Sequence, residues 1–102
     1  MTGMVVHAMF VTDEPLTEAK VNAVRDAWPG EDEFFKAVVA DEPGVLVLEF
    51  EVDLDEGRPS TTFAAARRVV LDVTERVGLH GRVRALTGEA DGVTWREFPQ
   101  HP

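Results

Sequence analysis

The chain has 102 residues, no cysteine and a formal net charge of −9. That length predicts a single domain over residues 1–102, large enough to bury roughly 60–70% of the surface its unfolded form exposes. The missing cysteine excludes disulfides, thiolate metal sites and thiol nucleophiles, and the acidity opposes nucleic acid and anionic membrane as partners.

The charge is unevenly placed. Residues 1–56 carry 14 acids and 3 bases, whereas residues 57–102 carry 5 acids and 7 bases. Such acidity serves solubility, or it offers a surface to a basic protein partner, as in an inhibitor or immunity-type protein. The apolar run at residues 4–11 is interrupted by His7 and has no basic start. It is too short to span a bilayer and unlike a signal peptide, so a cytoplasmic location is expected.

Residues 4–12, MVVHAMFVT, have the period of a strand. Val6, Ala8 and Phe10 alternate with Val5, His7, Met9 and Val11, and both sets are mostly apolar. This predicts a central strand covered on both faces. Thr17 is a helix N-cap, with Leu16 and Val21 spaced as a hydrophobic staple. Val21, Val24 and Trp28 form one helical stripe, and Pro29-Gly30 ends it.

Residues 31–40, EDEFFKAVVA, fit a helix or a doubly buried strand by period; their aromatic and β-branched content favours the strand. Glu42-Pro43-Gly44 suits a tight turn. Residues 44–53, GVLVLEFEVD, follow as a strand. Leu46, Leu48, Phe50 and Val52 face one way; Val45, Val47, Glu49, Glu51 and Asp53 face the other.

Residues 55–59 read as a loop. Ser60 or Thr61 caps a helix running to Val77, with the stripe Phe63, Ala66, Val70, Val73 and Val77, and Gly78 to end it. Residues 80–87 are the last main strand, with Val83 and Ala85 inward and Arg82 and Arg84 on the other face. Residues 88–92, GEADG, read as a loop, and residues 93–98 as a short extra strand.

The order β-α-β-β-α-β predicts an α+β chain of ferredoxin-like architecture. Its four-stranded antiparallel sheet, in the order 4-1-3-2, would carry two helices on one face. RNA-recognition domains of this shape stack bases on sheet aromatics; here Glu49, Glu51 and Asp53 would repel phosphate. The topology sets His7 and His80 near opposite ends of neighbouring strands, beyond a shared ligand, and His101 lies in the tail. Asp53, Asp55 and Glu56 lack the length and spacing of a calcium loop. No catalytic residue, metal site or cofactor is expected.

Residues 42–50, EPGVLVLEF, are similar to a stretch of the dimeric α/β-barrel monooxygenases, in which a Glu-Pro-Gly opens a strand. The resemblance implies a small dimeric enzyme or ligand-binding protein with a cavity between sheet and helices. The residues themselves favour a non-enzymatic interaction module forming a homodimer through its open sheet face. Val5, His7, Met9, Val11, Val45 and Val47 supply that face, with Glu49 and Glu51 on one flank and Arg82 and Arg84 on the other. A two-fold axis along the strands would then lay acid over base.

Overall fold

The computed structural model describes residues 3–29, 35–40, 44–54 and 59–97. The Glu42-Pro43 turn, residues 31–34 and 55–58, and His101 lie outside them. Seven elements follow in order: β1 (Gly3–Thr12), α1 (Glu18–Ala27), β2 (Lys36–Val39), β3 (Val45–Asp53), α2 (Pro59–Arg76), β4 (Gly81–Ala90) and β5 (Val93–Glu97). The strands make one antiparallel sheet in the order β2-β3-β1-β4-β5. The four-stranded order expected from sequence is therefore corrected by a fifth strand on the outer edge of β4. Residues 36–39 are strand, resolving the ambiguity of that part of the 31–40 segment.

Both helices bury their stripes against one face. Val21 and Val24 of α1 and Phe63, Ala66, Val70 and Val73 of α2 join a single core with Val6, Ala8, Phe10, Leu46, Leu48 and Phe50. None of the oppositely directed Val5, Met9, Val11 or Val47 belongs to it. Each large side chain buried there contributes about 1.5–3 kcal/mol. Trp28 closes one end, stacking on Phe35 at 4.3 Å and tilting against Phe50 at 4.8 Å.

The helix ends follow local chemistry. The Thr17 hydroxyl accepts from the Lys20 backbone N–H at 3.2 Å, capping α1. α2 begins at Pro59, one or two residues before the expected caps, because proline suits the first turn, where no N–H is required. At its far end Leu79 N–H donates to Thr74 and Gly78 N–H to Glu75, a Schellman closure with Gly78 at φ 80°. Lys20 Nζ adds a hydrogen bond to the Val77 carbonyl at 2.8 Å, tying α1 to the end of α2. Arg25 reaches from α1 to donate to the Ala37 carbonyl of β2 at 2.6 Å.

Two features of β4 depart from the sequence expectation. Met9 pairs with Ala85 but Phe10 pairs with Val83, so Arg84 is an extra residue, bulged out of the β1–β4 ladder. The bulge reverses the alternation. Val83 faces the helices, whereas Ala85 lies on the opposite face, and the inward set resumes at Leu86, Gly88 and Ala90. The strand also runs on to Ala90, so residues 88–90 are strand and not loop. Asp91 and Gly92, with φ of 52° and 77°, make a two-residue hairpin turn into β5.

Candidate functional site

The face of the sheet away from the helices is defined by strand register. Four rows of side chains cross it. The first joins Glu51, Val5, Glu89 and Thr94. The second joins Lys36, Glu49, His7, Thr87 and Arg96, one residue from each strand. A third, wholly apolar, joins Val38, Val47, Met9 and Ala85. The last joins Val45, Val11 and Arg82.

This places Val5, His7, Met9, Val11, Val45, Val47, Glu49, Glu51 and Arg82 on one face, with exposed Arg84 at the bulge beside the last row. They do not contribute area equally. Val45 is 1% exposed and Ala85 7%, so neither offers surface to a partner, contrary to the expectation for Val45. Val5, Met9, Val11 and Val47 are half-buried, and Val38 at the β2 edge is 53% exposed. The sequence expectation that β1 is covered on both sides is corrected here: among the described residues, both helices sit on the other face, and His7 is exposed.

His7 Nε2 lies 3.4 Å from Glu49 Oε2. The two residues are direct cross-strand partners, which fixes the pair without help from a loop. With both side chains partly in water, the contact is a surface one of small energetic weight. His80 lies at the other end of the sheet, where its carbonyl accepts from Thr12 Oγ1 at 3.0 Å and from Asp13 N–H at 3.1 Å. The two histidines share nothing. Among the described residues, no three His, Asp or Glu side chains are grouped to hold a metal ion.

Glu49 and Glu51 on β3 and Arg82 and Arg84 on β4 flank β1 as expected, but Glu89 adds an acid to the β4 flank. Glu51 and Glu89 occupy the same row on β3 and β4, and exposed Asp53 continues β3 beyond them. Arg82 sits in the last row, at the far end of the strands, where it lines a hollow of about 310 Å³ with Val11, Asp13 and Gly81. Glu51 and Glu89 therefore stand at the opposite end of the strands from Arg82, while Lys36, Glu49 and Arg96 mix acid and base within the second row. Sequence reasoning missed Glu89 and Val38. The Asp91-Gly92 turn signal would have extended β4 far enough to include Glu89, and the alternation of residues 36–39 places Val38 opposite Ala37.

A second hollow, of about 390 Å³, lies between α2 and β5, lined by Ser60, Phe63, Trp95, Arg96 and Glu97. Nearby, Glu97 Oε1 stands 3.0 Å from Arg67 Nη2. That nitrogen is buried and makes no aligned hydrogen bond, so the contact is ionic only. His7 is not among the residues lining this hollow. No described helix is long and apolar enough to cross a membrane. No family model matches the chain, and neither does any curated protein or solved structure.

Proposed function

We propose that the chain is a non-enzymatic, cytoplasmic interaction module that forms a homodimer through the helix-free face of its sheet. Its fold is read as ferredoxin-like, extended by β5. The observation that carries the reading is the apolar row Val38, Val47 and Met9, flanked by Val5 and Val11, on a face that no described helix covers. Apolar surface of this extent gains free energy when a partner removes it from water. The polar row through Lys36, Glu49, His7, Thr87 and Arg96 gives the same face hydrogen-bonding groups that a dry core lacks. The alternative of an enzyme with a cavity between sheet and helices draws no support from His7, which lies on the opposite side of the sheet from the helices.

Sedimentation across a concentration series tests the proposal. A dimer is expected in the micromolar range, converted to monomer by Met9→Asp with the chain still folded cooperatively and its melting temperature lowered. A wild-type monomer at high micromolar concentration, or a dimer indifferent to Met9→Asp, overturns it.

A further inference from the structure

The direction of the two-fold axis follows from where the charges stand, given the homodimer reading on which this inference rests. On the helix-free face, the first row holds Glu51 and Glu89 and no base. The last row holds Arg82, with Arg84 exposed at the adjacent bulge. Asp13 lines the same hollow as Arg82 and tempers that end. An axis lying along the strands keeps every row over its own copy, which sets Glu51 and Glu89 against the partner's acids. Like charges pressed together in this way oppose association. An axis lying across the strands reverses the row order. The Glu51–Glu89 row then meets the Arg82 row, and the apolar third row meets the second.

From this we infer that two copies of the chain pack face to face about an axis perpendicular to the strands, passing between His7 and Met9. Each Arg82 faces the acidic row of its partner, with Glu89, on the same strand, as its opposite number. β1 lies over the partner's β1, antiparallel to it, so Val5 stands over Val11 of the other copy. The arrangement is isologous, as a closed dimer requires. It also keeps the strands of the two sheets aligned, a favoured way for sheets to stack.

The chain has no cysteine, so introduced ones report geometry directly. Val5 and Val11 are six residues apart on β1, about 20 Å along an antiparallel strand. Val5→Cys alone, Val11→Cys alone and an equal mixture of the two are treated with a short bismaleimide. The expected result is a cross-linked dimer from the mixture and little from either variant alone. Cross-linking of each variant with itself means an axis along the strands and overturns the inference while leaving the homodimer intact. Absence of cross-links from all three samples, with sedimentation still showing dimer, removes this face as the interface and overturns both. Sedimentation showing only monomer defeats the homodimer reading itself, and the inference with it. A charge swap supplies an independent arm. Arg82→Glu should raise the dimer Kd by about tenfold, and adding Glu89→Arg should restore most of it. A double variant no tighter than Arg82→Glu counts against the Arg82–Glu89 pairing.

Discussion

A Cβ on Gly81 would overlap the carbonyl oxygen of Val11. The two residues close the last turns of the β1–β4 ladder, where Val11 pairs with Arg82 and Thr12 with Gly81 itself. The obstacle is backbone and not a flexible side-chain tip, so it cannot swing away. Gly81→Ala is expected to push the strands apart and destabilise the chain by about 1–3 kcal/mol, the range for overpacking. A urea midpoint equal to that of wild type would show that the ladder end parts without cost.

Phe50 is 1% exposed and touches the Trp28 ring, whereas its neighbour Glu49 points to the other face. Phe50→Ala should cost about 3–5 kcal/mol. Glu49→Ala should cost well under about 1 kcal/mol. Equal shifts in melting temperature would reverse the assignment of inside and outside on β3.

Gly78 holds φ at 80°, and a Cβ there would lie 3.2 Å from Lys20 Nζ. Gly78→Ala is expected to destabilise by about 1–2 kcal/mol, since a side chain strains the left-handed backbone. Gly78→Asn should cost less, because asparagine tolerates that conformation. Thermal unfolding of the two variants side by side gives the comparison; an alanine variant as stable as wild type would rule out the strain.

The His7–Glu49 contact should carry little energy. A double-mutant cycle on His7→Ala and Glu49→Ala, run at concentrations where the chain is monomeric, is expected to return a coupling below about 1 kcal/mol, as for other exposed pairs. A larger coupling in the monomer would mean that the pair is shielded from water by its own sheet.

Much of this fold was legible because single residues announce it. Thr17 as a cap, Gly78 as a helix end and the inward set Leu46, Leu48 and Phe50 are local signals that tertiary structure did not override. The face residues of β1 and β3 followed from alternation alone. What failed on β4 failed for two different reasons. Asp91-Gly92 is a strong hairpin signal, but the polar run over residues 88–92 masks it and hides the end of β4, where Glu89 lies. The Arg84 bulge is a different matter. Alternation cannot see an inserted residue: Val83 and Ala85 look like one face until pairing with Phe10 and Met9 shows them on two. The acid that changes the charge pattern of the face is Glu89, which comes with the extension of β4 and not with the bulge.

The hydrogen bond from Arg25 to Ala37 bears on a hazard of every open sheet. β2 is an outermost strand. Ala40 N–H donates inward to Val45, and antiparallel pairing alternates, so three residues earlier the Ala37 carbonyl points out of the sheet. An outward carbonyl on an edge strand is a template on which a stray strand can add, and from there fibrils grow. With Val38 and Val39 both about half exposed, this edge is apolar enough to attract one. The guanidinium already occupies the acceptor. An arginine on a short helix thus withholds one backbone acceptor of this edge from an incoming strand.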